Sequence, residues 1–595
     1  MTTVTAPLPT TAATGLDLRR ILKLGLLGGL GMVFIAAIGM LAAFNRRLLI
    51  TPILSLGYLV LFSVPFLIGH VMGRRVEKVG VATAPRSIVD VVAGAGAGGI
   101  AGFVAGLFAI LVNAAPGLRG TFPNLSVSVV EVLTFGMGLG GGLVVLTVLG
   151  AVVATLGTAF HWFPPRLGRA VSAALQSVVA VAIFEAVIDD LFDWFNTIPN
   201  FLYASRGGLT ILSAIVVFLV AGGLAYFLPG RVPSLRSTLM VEDQSKRRRN
   251  SLIAAVIVAL LVLIIPQFLG GVLNELLTNV GLFLLMGLGL NIVVGHAGLL
   301  DLGYVAFFAV GAYTTAVLTS PLSPFFAPEL SWWQAFPLVL IAAAVAGILV
   351  GTPVIRMRGD YLAIVTLGFG EIVRLLLLSD WLSPYFGGSQ GIRRIPGIFV
   401  GGTEIGGTSI NLFVYFTIAL VALAAYISWR LEDSRVGRAW AALREDEDVA
   451  EAVGVDTVKA KLQAFVTGAI LASFAGALFS AKVGSVFTNS FEILVSIVIL
   501  VVVIVGGMGN IAGVAIGALV LIGVLGGPNQ PGLLQEFGAF KLLIYGALLV
   551  FMMLQRPEGL LPSARRAQEL HQEEFLQDAW LDKGGELAET APKGA

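Results

Sequence analysis

The sequence has no cysteine among its 595 residues. This absence excludes disulfide bonds, thiolate metal sites and a cysteine nucleophile. Charged residues are also scarce, at 12% of the chain, whereas soluble domains carry about 25%. The histidines lie far apart in the sequence and show no ligand spacing: His70, His161, His296 and His571. We therefore expect neither a metal site nor a cofactor.

A phosphate-binding loop is also missing. Two glycine series repeat at every fourth position: Gly94, Gly98, Gly102 and Gly106, and then Gly509, Gly513 and Gly517. No Lys-Ser/Thr pair follows either series, and no strand precedes it. The spacing instead places the glycines on one helix face, which is typical of close packing between membrane helices. Since no Ser-His-Asp constellation is present either, nothing in the sequence supports an enzyme.

Long apolar runs dominate the chain. Hydrophobic residues make up 57% of it, and its mean hydropathy is +0.94. Runs of about 20 apolar residues are long enough to cross a bilayer as helices. The runs do not alternate with polar residues, as the strands of a β-barrel would. We predict an all-α, polytopic helical bundle with about 16 spans, some of them broken or re-entrant.

Composition divides the chain into four parts. Residues 1–231 form an N-terminal membrane region of about six helices, and residues 232–250 form a basic linker ending KRRRN. Residues 251–562 contain about ten further spans, and residues 563–595 form a charged tail. The positive-inside rule places the basic clusters and both termini in the cytoplasm. The pairs Arg46-Arg47 and Arg393-Arg394 are exceptions, because they fall on the outer side.

A polar segment, residues 434–461, lies between two apolar runs and reads SRVGRAWAALREDEDVAEAVGVDTVKAK. Asp448 and Glu451 have the spacing of a capping box at a helix N-terminus. Gly454 is suited to a left-handed helix stop, and Asp456 can cap the next helix. The segment thus predicts two short helices at the membrane surface. They form either an ordinary solvated loop or a docking element for a soluble partner.

Polar side chains within the apolar runs are few. Asn291, His296 and Asp301 fall at a break between two runs, and Glu371 and Arg374 are three residues apart in another. Charges are costly inside a membrane, so such residues usually face a bundle interior or a water-filled path. Glu371 and Arg374 form either an intramembrane ion pair or part of a transport path.

Five blocks of the second half share a family pattern. They are GLGLNIVVGHAGLLDLGYVAFFAVGAY (287–313), RMRGDYLAIVTLGFGEIVRLLL (356–377), GRAWAALREDEDVAEAVGVDTVKAKLQAFVTGAILASFAGAL (437–478), VVVIVGGMGNIAGVAIGALVL (501–521) and RPEGLLP (556–562). In this order, they resemble the branched-chain amino acid ABC-transporter permeases of the LivM type. The resemblance covers residues 251–562 and implies a permease domain there. It does not extend to the N-terminal region.

The resemblance implies a subunit of a bacterial inner-membrane importer. Such a subunit pairs with a second permease of the LivH type, two cytoplasmic ATPase subunits and an external substrate-binding protein. Its substrates are leucine, isoleucine and valine, or related small amino acids and amides. Transport would proceed by alternating access, driven by ATP hydrolysis in the partners. The membrane lipid is a further partner, and nucleic acid is not one.

The resemblance also implies roles for particular residues. Coupling to the ATPases is expected at Gly437, Arg438, Trp440, Leu443, Arg444, Glu451, Ala452 and Gly454. A substrate path is expected along broken helices at Asn291, Gly295, His296, Gly298, Asp301, Gly506, Gly507, Gly509 and Asn510. The chain departs from the family where residues 387–391 read GGSQG in place of GGPNG. That departure puts the docking contacts of the binding protein in doubt.

Two readings from other classes compete with the importer. A self-contained secondary transporter or channel needs ionisable residues in the middle of its spans, and few are visible in the sequence besides Glu371 and Arg374. A membrane scaffold protein explains the glycine faces but not the ordered blocks. Neither reading explains a capped polar segment between two spans.

Overall fold

The computed structural model describes residues 17–73; 88–192 apart from 116, 118–121 and 123; 197–227 apart from 206; and 262–561 apart from 355, 356 and 358. The chain divides into two compact units, Met1–Asn250 and Ser251–Ala595. The predicted basic linker (232–250) and charged tail (563–595) lie outside the described residues, so their roles stay predictions.

The prediction of a polytopic helical bundle is confirmed. In the described part of the chain, twelve helices are long and apolar enough to cross a membrane. Three shorter apolar helices accompany them: Ile211–Phe227, Val305–Thr319 and Ile511–Leu525. The sequence predicts about 16 spans. One of them is the run that begins at residue 251, and most of that run lies outside the described residues. The strands in these residues form only two-stranded sheets.

The first unit consists of helices with one small hairpin. The helices are α1 (Leu18–Ala37), α2 (Met40–Phe44), α3 (Leu56–Gly73), α4 (Ile88–Ala114), α5 (Val127–Leu133), α6 (Gly138–Ala159), α7 (Pro165–Ile183), α8 (Glu185–Leu191), α9 (Thr197–Leu202) and α10 (Ile211–Phe227). Strands β1 (Leu48–Ile50) and β2 (Leu54–Ser55) pair in antiparallel fashion. One apolar run, residues 129–157, is split between α5 and α6, because Phe135, Gly136 and Gly138 adopt positive φ angles.

Close backbone contact holds α4 against α6. A Cβ atom on Gly98 would clash with the carbonyl oxygen of Gly150, and one on Gly102 would clash with that of Leu146. Glycine removes these clashes and lets the two helices approach closely, as is typical of membrane helix pairs. The glycine series of α4 therefore has a structural role.

The second unit also consists mainly of helices. They are α11 (Gly271–Leu290, followed by a π-helical turn, Asn291–His296), α12 (Val305–Thr319), α13 (Trp332–Val354), α14 (Asp360–Leu378), α15 (Ser383–Phe386), α16 (Ile410–Glu432), α17 (Arg435–Glu445), α18 (Glu447–Ala452), α19 (Thr457–Val483), α20 (Ile493–Gly506), α21 (Ile511–Ala518, followed by a π-helical turn, Leu519–Leu525) and α22 (Lys541–Gln555). Strands β3 (Ile392–Arg393) and β6 (Ser485–Val486) pair, as do β4 (Ile398–Val400) and β5 (Thr403–Ile405).

Helices α11 and α19 form the centre of the second unit, since most of their apolar residues are buried. Helix α12 packs along α19 through small residues and hydrogen bonds. The Ser473 hydroxyl donates to the Phe307 carbonyl at 2.7 Å, and the Tyr304 hydroxyl donates to the Gly468 carbonyl at 2.9 Å. Such bonds tie buried membrane helices together, because no water is available to replace them.

Candidate functional site

The polar segment (434–461) folds as two short helices, α17 and α18, before α19 begins. Ser434 caps α17, and its hydroxyl accepts a hydrogen bond from the Gly437 amide at 3.2 Å. Asp446 caps α18 and accepts from the amides of Asp448 at 2.9 Å and Val449 at 3.0 Å. The predicted capping box of Asp448 and Glu451 is therefore wrong. Helix α18 begins two residues earlier, because Asp446 takes the extended backbone conformation that a capping residue needs.

The end of α18 matches the sequence prediction. Gly454 adopts a φ angle of +91° and stops the helix in the left-handed region. Asp456 then caps α19 by accepting a hydrogen bond from the Lys459 amide at 2.9 Å. Both predictions are confirmed, and the turn from α18 into α19 has a defined conformation.

Buried side chains fix α17 against the second unit. Trp440 is 1% exposed, and its indole N–H donates to the Ala460 carbonyl at 2.9 Å. Leu443 is also buried, and Gly437 lies where a Cβ atom would clash with the carbonyl oxygens of Leu431 and Glu432. These three residues hold α17 in place against the second unit, and their role in coupling stays a prediction.

A buried ion pair joins α18 to α19. The Lys461 ammonium lies 2.6 Å from the Glu447 carboxylate, and the two side chains are 2% and 23% exposed. The sequence analysis missed this pair, because the two residues are 14 positions apart. The signal available in the sequence was a lysine at the start of an otherwise apolar helix.

The outer side of α18 carries an exposed face formed by Glu445, Asp448, Val449, Glu451 and Val453. Val449 is 59% exposed and Val453 is 73% exposed. The three acidic residues are also exposed, as are Ala452 and Gly454 beside them. Exposed valines surrounded by carboxylates fit contact with a partner that offers both apolar and basic groups.

Arg444 connects the polar segment to the break after α11. Its guanidinium donates a hydrogen bond to the Gly295 carbonyl at 2.7 Å. Gly298 packs against the same side chain: a Cβ atom there would lie 2.9 Å from Arg444 Cγ. Gly298 has a φ angle of +72°, which favours glycine as well. The structure thus brings together residues that the sequence assigned to coupling and to the substrate path.

The two predicted helix breaks lie side by side. The side-chain oxygen of Asn291, after α11, accepts a hydrogen bond from the Gly509 amide at 2.8 Å. Asn510 caps α21 by accepting from the Ala512 amide at 3.0 Å. Gly506 and Gly507 complete the turn, where Cβ atoms would clash with the carbonyl oxygens of Gly513 and Leu561. The hydrogen bond from Gly509 to Asn291 joins the two breaks, whereas their role in a substrate path stays a prediction.

Two further residues of the predicted path lie at the same break. Asp301 is 1% exposed, and its Oδ1 accepts from the Gly303 amide at 2.9 Å. Within the described residues, neither Asp301 Oδ2 nor His296 Nε2 has a hydrogen-bond partner. The part of the chain that the structure describes also contains no group of three or more His, Cys, Asp or Glu side chains that could hold a metal ion.

Glu371 and Arg374 form an ion pair on one face of α14. The Arg374 Nε lies 3.1 Å and 3.0 Å from the two carboxylate oxygens. The side chains of Arg374 and Glu371 are 23% and 37% exposed, so they lie at the surface of the second unit. The depth of this pair in the membrane stays a prediction.

Comparison with known proteins gives consistent matches to the second half of the chain. A family model described as "Branched-chain amino acid transport system / permease component" matches residues 272–553. The LivM high-affinity branched-chain amino acid transport permeases of Escherichia coli (strain K12) and Salmonella typhimurium are 39% and 40% identical to the chain over 312 residues. Each alignment covers 49% of this chain and 70% of the relative.

A more distant relative covers nearly its whole length. The probable branched-chain amino acid transport permease LivM of Methanocaldococcus jannaschii is 26% identical over 326 residues, which is 47% of this chain and 91% of that protein. No solved structure matches the chain. The family match begins at residue 272, so the first unit lies outside it. The chain belongs to the branched-chain amino acid transport permease family.

Proposed function

We propose that the chain is the transmembrane permease subunit of an ATP-binding-cassette importer in a bacterial inner membrane. The chain is a permease component of a multi-pass type and not an enzyme. The proposed cargo is leucine, isoleucine and valine or a related small amino acid or amide. The observation that carries the proposal is the hydrogen bond from Arg444 to the Gly295 carbonyl, because it links a solvent-exposed docking element to a break in the most buried part of the bundle.

An ATPase partner is part of the proposal. No phosphate-binding loop is recognisable in the sequence, so the energy for transport comes from elsewhere. The exposed face of α18 offers Val449 and Val453 among carboxylates. We propose that this face enters a groove of a cytoplasmic ATPase subunit. The positive-inside rule supports a cytoplasmic location for the segment and for both termini.

A continuous series of contacts supports alternating access. Helix α17 is fixed by Trp440 and reaches Gly295 through Arg444. The same break reaches Gly509, between α20 and α21, through Asn291. ATP can drive the change only if the ATPases bind one permease state more tightly than the other. A displacement of α17 and α18 would then change the relative positions of α11, α20 and α21.

Further partners follow from the family. We propose a second permease of the LivH type beside this chain, two ATPase subunits and an extracytoplasmic binding protein. The two small sheets, β3–β6 and β4–β5, lie at the opposite end of α19 from the polar segment. These sheets and residues 387–391 are the proposed contact region for the binding protein.

A secondary transporter or channel is the second candidate. One observation favours it: Lys482 in α19 is 8% exposed, and its ammonium contacts the side-chain oxygen of Asn279. Buried ionisable groups of this kind occur in ion-coupled transporters. Uptake into proteoliposomes separates the two functions. An importer requires ATP with the ATPases and binding protein, whereas a secondary transporter responds to an ion gradient alone.

The docking proposal is tested by charge reversal. Glu451→Arg, combined with Val453→Arg, changes the exposed face without removing a buried contact. We expect loss of ATPase co-purification and of ATP-driven leucine uptake. Asp380→Arg is the matched control, since Asp380 is exposed in the loop after α14. Unchanged ATPase retention in the double variant would contradict the proposal. For the cargo, uptake of leucine is compared with that of urea and a sugar, and a preference for the sugar would overturn the assignment.

A further inference from the structure

A cavity lies between the central helices of the second unit. Its volume is about 230 Å³, and its apolar wall consists of Leu282, Phe283, Met286, Phe308, Phe479 and Val483. These residues belong to α11, α12 and α19. The volume is below the ~300–1,000 Å³ of sites that enclose drug-sized ligands. The cavity therefore fits a small apolar group, such as the side chain of an aliphatic amino acid.

The cavity lies far from the polar segment. Helix α19 has 27 residues and is therefore about 40 Å long. The polar segment joins α19 at Thr457, whereas Phe479 and Val483 lie in its last turns. In the proposed importer this is the side that receives the substrate from the binding protein. The cavity is separate from the helix breaks at Asn291 and Gly509.

An irregular loop closes one side of the cavity. The apolar helix Ile511–Leu525 is about 22 Å long, which is shorter than the ~30 Å hydrocarbon core. The loop after it contributes Pro528, Asn529 and Gln530 to the cavity wall. Irregular backbone at membrane depth occurs only where it is buried in protein or lines a cavity. The loop thus lies against a cavity, as this rule requires of irregular backbone inside a membrane.

Polar groups border this apolar wall. The side-chain oxygen of Gln530 is buried, and it has no hydrogen-bond partner within the described residues. Such an acceptor is costly unless a donor arrives. Lys482 directly precedes Val483 and is 8% exposed, but it does not line the cavity. Its ammonium contacts Asn279 and lies 3.8 Å from the carboxylate of Glu275. The cavity thus has an unpaired acceptor in its wall.

We propose that this cavity binds the side chain of an aliphatic α-amino acid during transport, with the side-chain oxygen of Gln530 accepting a hydrogen bond from the ammonium group. The proposal rests on the proposed importer function and adds to it the position and chemistry of a substrate site. A sugar or urea would leave its donors and acceptors unpaired against the phenyl, leucyl and methionyl wall. A branched hydrocarbon chain has no donor or acceptor that this wall would leave unpaired.

The first test narrows the cavity. Val483→Phe adds volume at a wall residue that is 48% exposed at the helix end, so the substitution is compatible with folding. Val345→Phe is the control, since Val345 is 52% exposed on α13, away from the cavity. In the reconstituted full complex, we expect Val483→Phe to lower kcat/KM for leucine relative to alanine about tenfold, because one methylene in an apolar pocket is worth about 10–200-fold. An unchanged ratio would overturn the site.

The second test locates the ligand directly on the wild-type chain. A photoreactive diazirine analogue of leucine should label peptides that contain Phe283, Phe479 or Gln530, and free leucine should compete with the label whereas urea should not. Labelling elsewhere in the chain would overturn the proposal. The wild-type complex also reports on the function itself. ATP-driven leucine uptake with labelling outside the cavity rejects only this site, whereas cavity labelling without such uptake rejects only the importer.

Discussion

The two units of the chain both contain close glycine contacts, but they differ in their buried polar side chains. In the first unit, α4 and α6 meet through glycines whose missing Cβ atoms let backbone touch backbone. Its buried polar side chains are hydroxyls, such as Thr158 and Ser213. In the second unit the buried set includes amides and charges: Asn274, Asn279, Asn291, Asp301, Lys461 and Lys482.

This difference separates permanent contacts from adjustable ones. Glycine-mediated packing depends on shape and has one close arrangement, which suits a rigid support. Hydrogen bonds and ion pairs can exchange partners between two states, and helix breaks leave backbone groups that need such partners. By this argument the contact of α4 with α6 is the more rigid, and the buried polar groups of the second unit are the more adjustable.

The largest effect is expected from the ion pair of the second unit. Glu447→Gln leaves the buried Lys461 charge without its carboxylate, and breaking a buried pair in this way costs about 3–5 kcal/mol. Lys461→Met removes the buried charge itself and leaves Glu447, which is 23% exposed, able to reach water. We expect Glu447→Gln to lower the thermal stability of the purified chain more than Lys461→Met does. The reverse order would show that the pair is not the dominant contact there.

A smaller but still marked effect is expected from the glycine packing of the first unit. Gly98→Ala drives a methyl group into the backbone oxygen of Gly150, and overpacking of this kind costs about 1–3 kcal/mol. Gly99→Ala is the matched control, since a Cβ atom there would lie 3.6 Å from the nearest atom, Ala151 Cβ. Differential scanning fluorimetry should show a lower unfolding temperature for Gly98→Ala only.

The same pair of variants tests whether the first unit is a support. ATP-driven leucine uptake, measured per folded molecule, should be equal for Gly98→Ala, Gly99→Ala and wild type. A selective loss of uptake in Gly98→Ala without loss of folded protein would show that the first unit takes part in transport, and the contrast between the two units would no longer hold.

Apolar runs predicted the helices of both units well, because a span must satisfy its backbone groups internally and so becomes a helix. Helix α19 begins at Thr457, whereas its apolar run starts at Leu462. The difference arises because Asp456 caps the helix in the polar segment, beyond the apolar run. The break at Phe135 and Gly136 was missed, since it interrupts a continuous apolar run through positive φ angles alone.

The site was predictable in its parts but not in its connections. Gly454 and Asp456 were identified as helix signals because stops and caps are local chemistry. The sequence pattern does not distinguish Asp446 from Asp448 as the capping residue, because both are aspartates and they lie only two positions apart. The bond from Arg444 to Gly295 joins residues 149 positions apart. Only the packing of α17 beside α11 brings these two together.

An intermediate effect on activity is expected from that bond. Arg444→Ala removes a charged donor from the Gly295 carbonyl, and hydrogen bonds to charged groups contribute about 1.5–3 kcal/mol. We expect uptake to fall while the ATPases still co-purify, because the exposed face of α18 is intact. Arg430→Ala is the control, since Arg430 is exposed at the end of α16. Loss of ATPase binding in Arg444→Ala would place this arginine in docking, not in transmission.

The smallest effect is expected from the indole of α17. Trp440→Phe keeps an aromatic ring in the buried site but removes the N–H that donates to the Ala460 carbonyl at 2.9 Å. The loss should be about 1 kcal/mol, the usual net contribution of one neutral hydrogen bond. Trp429→Phe is the control, since Trp429 is 51% exposed on α16. Hydrogen exchange at α17 should rise in Trp440→Phe and stay at the wild-type level in α4. Such a local response is expected if adjustable hydrogen bonds hold the second unit. An equal rise of hydrogen exchange in both helices would mean that the two units unfold together.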